Sequence, residues 1–306
     1  MYLKKIFSII ILAGIFPVLL LSCNGSNSGK SDNSGTGSGS EDISASDVSS
    51  TAPPTASPQP TEEVYTPKKY FTLSFDDGIT QDSRIIEILK KYDMYCATFN
   101  INTGLCGASW DWVAGAVGCP GLTHIRFTEK ELKSGIYDGF EVAVHTLTHP
   151  SLTDLSDSAV ISEVGDDAKN IKKICGTAPV GMAYPGGNYY NDHIIRLILE
   201  NTDIRYARTV TSTGKFTLPE YFMEWNPTCS FTEGNAKLLL KKLLRKECTE
   251  DMLFYVWCHG YELDAYDKWD EFEEFIKAVS EAEDIVKVTN GEFYQLFKDK
   301  IPSWKE

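Results

Sequence analysis

Nowhere in this sequence do basic residues gather into a run, and the formal net charge is -14. Nucleic acid, whose binding needs a basic patch or stripe, is therefore not an expected partner. A neutral or cationic polymer meets no repulsion from such a surface. Zinc-ribbon spacing is missing among the cysteines, which argues against a cysteine metal site. No internal repeat is present, so repeat architectures are set aside. The longest apolar run, Ile6 to Leu21, is too short for a comfortable transmembrane helix.

That run follows Lys4 and Lys5 and reads as an export signal covering residues 1–23. It closes on Leu20-Leu21-Ser22-Cys23, which resembles the bacterial lipoprotein signal with Cys23 as the lipidated residue. Removing it takes two lysines away, so the charge becomes -16 (-14 minus 2). Residues 24–67 are Ser, Gly, Asn, Thr, Asp and Pro with almost nothing to bury, a tether stiffened at Pro53-Pro54 and Pro58 to Pro60. The expectation is an exported head on a lipid anchor, a monomer touching the membrane through that anchor alone. Of eight cysteines, seven remain once Cys23 is lipidated, an odd number. Cys106 and Cys119, flanking a glycine-rich loop, are the expected disulfide.

Hydrophobic residues make up 42% of the 306, enough for a sizeable core. From residue 68 to 306 the pattern alternates strand and helix. Strands are predicted over Tyr70 to Phe75, Tyr95 to Asn100, Glu141 to His145, Val180 to Tyr184, Ile204 to Val210, Met252 to Trp257 and Ile285 to Thr289. Helices fall between, including Asp82 to Lys91, one begun by a Thr128/Glu131 capping box, and one capped by Ser156 and stopped by Gly176. Others span Asp192 to Asn201, Asn235 to Glu247, Glu271 to Glu281 and Glu292 to Lys298. Gly104 to Ile125 reads as a long loop, and the stretch around Trp225-Asn226-Pro227 as a looser one. Seven strands with intervening helices predict a parallel α/β sheet, open or closed into a barrel.

Three strands end in chemistry. Phe71, Leu73 and Phe75 lead into Asp76-Asp77-Gly78. Val142 and Val144 lead into His145-Thr146-Leu147-Thr148-His149, and Leu253 to Trp257 into Cys258-His259-Gly260. Strand ends are where parallel α/β folds keep their active sites. Histidines four apart can grip one metal ion, and Pro150 favours a strand passing into a loop over a helix. A carboxylate from Asp76 or Asp77 would complete a two-histidine, one-carboxylate site, leaving its neighbour free as a base. Alone, Asp76-Asp77-Gly78 is also a common acidic turn. His124 and His193 read as surface residues. Trp110 and Trp112 sit in the long loop, either packed or walling a groove. Trp225 and Trp257 are candidates for a wall facing sugar or acetyl.

Together, Phe75-Asp76-Asp77-Gly78, the His145–His149 motif, the turn Tyr184-Pro185-Gly186-Gly187 and the late His259 resemble the motifs of the polysaccharide deacetylases. These are the carbohydrate esterase family 4, or NodB-homology, enzymes. The resemblance implies a distorted (β/α) barrel of about seven parallel strands in a single catalytic domain. It further implies metal-dependent deacetylation of a polysaccharide. Asp77, His145 and His149 would hold a divalent ion, usually zinc. Asp76 would be the base, His259 the acid, and the N–H of Tyr184 an oxyanion donor, with Pro185 in the same substrate-binding turn. An amide substrate, N-acetylated sugar polymer or peptidoglycan, is expected. An O-acetyl xylan esterase and a silent carbohydrate-binding lipoprotein are the alternatives. The family's third motif usually opens with an arginine that pairs with the base, and here that position is Ala183. Arg208, near the end of the fifth strand, is the candidate to orient Asp76 in its place; the alternative is a surface arginine.

Overall fold

The apolar alternation at residues 71–75 becomes strand β1 (Lys69–Asp77), buried along its whole length because it lies mid-sheet with both faces covered. The computed structural model describes residues 65–232 and 235–305. The expected signal segment, Cys23 and nearly all of the tether lie outside them. Among the described residues no helix is long and apolar enough to cross a membrane.

After β1 come α1 (Asp82–Lys91), β2 (Ala97–Ile101), two short helices α2 (Trp112–Ala116) and α3 (Glu129–Lys133), and β3 (Glu141–Val144). The middle holds α4 (Asp157–Cys175), β4 (Gly181–Ala183), α5 (Asp192–Asn201), β5 (Tyr206–Arg208) and β6 (Cys229–Ser230). The last part is α6 (Ala236–Arg245), β7 (Met252–His259), α7 (Gly260–Ala265), α8 (Trp269–Ser280), β8 (Ile285–Lys287) and α9 (Asn290–Phe297).

The sheet order is β5-β4-β3-β2-β1-β7-β6, with β8 beside the start of β1, and every pairing between these strands is parallel. Its two edges meet. Trp225, just ahead of β6, bridges Arg208 of β5; its N–H donates to Ala207 O, and Thr209 N–H donates to Trp225 O. The sheet thus curls back on itself as a distorted barrel. β6 adds an eighth strand to the seven expected. Only two residues long and preceded by Pro227, it has no alternation to betray it.

Phe71, Leu73 and Phe75 face the helices and join Ile85, Leu89, Phe272 and Phe275 in the larger core cluster. Burying each such side chain is worth about 1.5–3 kcal/mol. The intervening Thr72, Ser74 and Asp76 belong to the opposite face of β1. Inside, Thr72 Oγ1 donates to Asn290 Oδ1 at 2.8 Å, and Ser74 shares a 3.0 Å hydrogen bond with the Tyr255 hydroxyl. Buried polar groups are tolerable there because they pair with each other.

Caps fix the helix ends. The Thr128/Glu131 capping box is present, Ser156 accepts from Ala159 N–H, and Gly176 ends α4 at φ 85°. Thr289 caps α9 by accepting from Glu292 N–H, so that helix starts at Asn290, before the expected Glu292, and β8 is shortened. Cys106 and Cys119 are not bridged; all seven described cysteines are free thiols. Cys106 packs against the larger core, whereas Cys119 closes α2 through its N–H to Ala114 O.

Candidate active site

Because the strands run parallel, their C-terminal ends share one rim, and Asp77, His145, Ala183, Arg208 and His259 lie at or one residue past the ends of β1, β3, β4, β5 and β7. The backbone there is forced. Asp77, Thr146 and His149 all have positive φ, at 79°, 67° and 58°. A non-glycine residue in that region costs of order 1–3 kcal/mol and persists only where neighbours over-determine it. The neighbours are visible. Asp167 on α4 accepts from Thr103 N–H at 2.8 Å and His145 N–H at 3.2 Å, while Glu163 accepts from Thr148 N–H at 2.8 Å.

Asp77, His145 and His149 each turn one ligand atom toward the others, all within 4.8 Å. His145 Nδ1 faces Ala183 O at 2.9 Å, so it carries the proton and leaves the Nε2 lone pair free. That Nε2 is buried without a hydrogen-bond partner, and it lies 4.0 Å from Asp77 Oδ1. Burial lowers the pKa of both imidazoles, that of His149 to about 4, so both are neutral and able to ligate near pH 7. The donor set therefore fits a divalent ion: two unprotonated imidazoles and one carboxylate.

Beside it, Asp76 is 2% exposed. Its Oδ1 accepts from Asn100 Nδ2 at 2.9 Å, and its Oδ2 from Arg208 Nη2. Burial pushes the Asp76 carboxyl up, but Arg208, then His145 and His259, pull it net below the ordinary carboxylate range. Arg208, 1% exposed, lies over the Trp257 ring at 4.2 Å. His259 Nδ1 pairs with Glu262 Oε1 at 3.1 Å, and its Nε2 stands 3.9 Å from Asp76 Oδ2 and from Asp77 Oδ2. Burial pulls the His259 pKa down, yet Glu262 and the two aspartates lift it to about 9.

Several expectations change. The N–H of Tyr184 donates to Arg208 O at 3.0 Å, continuing the β4–β5 ladder, so it offers nothing to an oxyanion. The Tyr184 side chain is buried, its hydroxyl on Met223 O and its ring stacked on Tyr190. Pro185 is buried beside it. Trp225 does not wall the site: at 0% exposure it packs among Tyr206, Phe222, Tyr255 and Phe293. Trp257 is nearly buried beneath Arg208. His193 is exposed, as read, but His124 is 2% exposed and sits in the site.

His124 Nε2 donates to Asp77 Oδ2, and Arg126 Nη2 to Asp77 Oδ1, both at 2.9 Å. Neither residue carries a periodic signal in its loop. Trp110 stands over His149 edge-on with centroids 5.3 Å apart, and Trp112 is 63% exposed beyond it. Asp167 did leave a trace, a charge set between Val164 and Ile171 on the apolar stripe of α4.

The polysaccharide deacetylase family model matches residues 63–207. The peptidoglycan-N-acetylmuramic acid deacetylase PdaC of Bacillus subtilis (strain 168) is 30% identical over 138 residues, 44% of this chain and 25% of that protein. The chain thus spans about a quarter of that relative's length. Among solved structures, the Streptococcus pyogenes deacetylase PplD in complex with acetate shares 25% identity over 51% of this chain and 62% of its own, with a TM-score of 0.39. A Mycobacterium smegmatis structure assigned as a polysaccharide deacetylase aligns over 81% of this chain and 97% of its own, with a TM-score of 0.50; at 14% identity it speaks for the fold alone. Residues 63–207 of this chain are thus similar to the polysaccharide deacetylase family, and the Bacillus relative is similar over a stretch of comparable length.

Proposed function

We propose that this chain is an exported, metal-dependent deacetylase that hydrolyses N-acetyl groups of a cell-envelope or extracellular polysaccharide. The observation that carries the reading is the buried, unpartnered Nε2 of His145, set beside Asp77 and His149 and next to the Asp76–His259 pair. Asp77, His145 and His149 would hold the ion, which two imidazoles and one carboxylate suit to Zn2+. When bound, such an ion polarises a carbonyl and acidifies water.

The protein's own groups do the rest. Asp76, fixed by Asn100 and Arg208, accepts the proton of the water that adds to the acetyl carbon. Its depressed pKa keeps it ionised for that task. An amine is a poor leaving group until it is protonated. His259, with a pKa lifted to about 9, carries a proton at neutral pH and gives it to the departing nitrogen as the C–N bond breaks. Acetate and the free amine are the products. The Tyr184 N–H plays no part.

The name of the Bacillus relative favours a peptidoglycan-like, N-acetylated polymer. The sequence pattern of residues 1–67 supports the lipid anchor at Cys23 and a tether that lets the head reach such a polymer from the membrane. Acetate release from chitin oligomers, peptidoglycan and acetylxylan, measured with and without chelator, tests the reading. Release is expected from an N-acetylated polymer, lost with chelator and regained with Zn2+. Release only from acetylxylan, or release indifferent to chelator, would overturn it.

A further inference from the structure

Two adjacent carboxylates are held alike by different residues. Asp76 is gripped by Asn100 and by Arg208, whose guanidinium lies over Trp257. Asp77 is gripped by His124 on Oδ2 and by Arg126 on Oδ1, and the Arg126 guanidinium lies over Trp110 at 3.8 Å. Trp110 also covers the His124 ring, with centroids 5.4 Å apart and planes 11° from parallel. His124 and Arg126 are 2% exposed and Asp77 4%. Two positions apart on an extended segment that bridges Ile79 and Ser109, they direct their side chains to the same carboxylate, while Ile125 between them is 38% exposed. Arg126 Nε donates to Asn102 Oδ1 at 3.3 Å, and Asn102 Nδ2 donates to the carbonyl of His145 at 2.5 Å. One network therefore ties the carboxylate of Asp77 to the backbone of His145.

We propose that His124 and Arg126 are positioning residues that set the Asp77 carboxylate for metal binding. The inference rests on Asp77, His145 and His149 being the metal site. Oδ1 is the Asp77 oxygen near both imidazoles, 4.0 Å from His145 Nε2 and 3.9 Å from His149 Nε2. A carboxylate oxygen has two lone pairs, so Oδ1 can accept from Arg126 and still turn the second toward the ion. Without donors on both oxygens the carboxylate could rotate about its Cβ–Cγ bond and lose that aim. Partners behind a metal ligand fix its orientation in this way, and losing one typically costs about 10–100-fold in metal affinity.

The test is Zn2+ affinity of the full chain by competition with a chromophoric chelator. A Co2+ spectrum is recorded alongside as a readout of coordination geometry. His124→Phe keeps a ring stacked on Trp110 but has no donor. It and Arg126→Met should each bind at least about tenfold more weakly. His124→Gln, which retains an N–H, should recover most of the affinity. Unfolding of the metal-free variants, followed in chelator, separates lost stability from lost affinity. His124→Leu serves the same purpose if the Phe variant does not fold. Either variant binding as tightly as the parent, while Asp77→Ala loses the ion, removes that residue from the clamp and leaves the metal site standing. Wild-type affinity in Asp77→Ala would instead bring down the metal site itself.

Discussion

Replacing Arg208 with methionine tests how Asp76 is held. The two side chains are 1% and 3% exposed, so water cannot take over when one is removed. Breaking a buried ion pair from one side costs about 3–5 kcal/mol, because the remaining charge is left without its partner. Asp76 would keep the Asn100 hydrogen bond, and only His145 and His259 would still offset the burial that works against its charge. The pH dependence follows in sign. In the parent, the folded pKa of Asp76 lies below the unfolded value of about 3.9, so its contribution is present above that value and fades as pH falls through the folded pKa. In Arg208→Met the folded pKa rises above the unfolded one. The variant is then penalised increasingly as pH climbs, until the raised pKa is passed. The gap between the two proteins should therefore begin to open below the unfolded value, where only the parent favours the ionised carboxylate on folding, and go on widening until the raised pKa of the variant is passed. Urea unfolding in the presence of chelator, at several pH values and with unchanged m, measures it. A gap of the same size from strongly acid to neutral pH would mean that the loss comes from the stacking of Arg208 on Trp257 and owes nothing to charge.

Asp77→Ala, His145→Ala and His149→Ala should each lower bound metal and activity together, since three ligands leave no spare; full occupancy by elemental analysis in all three would remove the assignment. Asp76→Asn should keep its metal and lose turnover by roughly a hundredfold or more, the usual worth of a positioned base. His259→Ala should harm amide substrates more than activated aryl esters, whose leaving groups need no proton, and equal losses would show that His259 is not the acid. Gly181→Ala should lower stability by about 3 kcal/mol, because its Cβ would fall 1.8 Å from Tyr206 Cζ in the barrel; an unchanged urea midpoint would contradict that packing.

What could be read in the sequence was whatever followed an apolar run. Asp76, Asp77, His145 and His259 each come at the end of an alternating or continuous strand, and a parallel sheet delivers such ends to one rim. Pairing across distance was harder to see. His124 and Arg126 lie in a loop without periodicity, and the bridge between Arg126 and Ile79, just past β1, brings that loop to the end of the strand. Trp225 departs from the expectation for a related reason. An aromatic residue in an irregular stretch does not announce which side of a sheet it will meet, and here it closes the barrel from within. Tyr184 shows the limit of motif spacing. It lies one residue beyond β4, yet its N–H still reaches Arg208 O, and only the register of β4 on β5 decides that.

The same register explains how Ala183 can stand where the resemblance leads one to expect arginine. Ala183 of β4 pairs directly with Arg208 of β5. In-register neighbours on parallel strands point to the same face, so a side chain at either position would enter the same space beside Asp76. That space is closed, since Ala183 is 0% and Arg208 1% exposed. Two guanidinium groups there would repel each other in a low dielectric with one carboxylate to share, a far worse arrangement than one. The small residue at 183 is thus the counterpart of the large one at 208. Ala183 also keeps a task that needs no side chain, since its carbonyl faces His145 Nδ1 at 2.9 Å. One strand pair therefore serves both halves of the site, with the backbone of β4 orienting a histidine and a side chain from β5 restraining the neighbouring carboxylate.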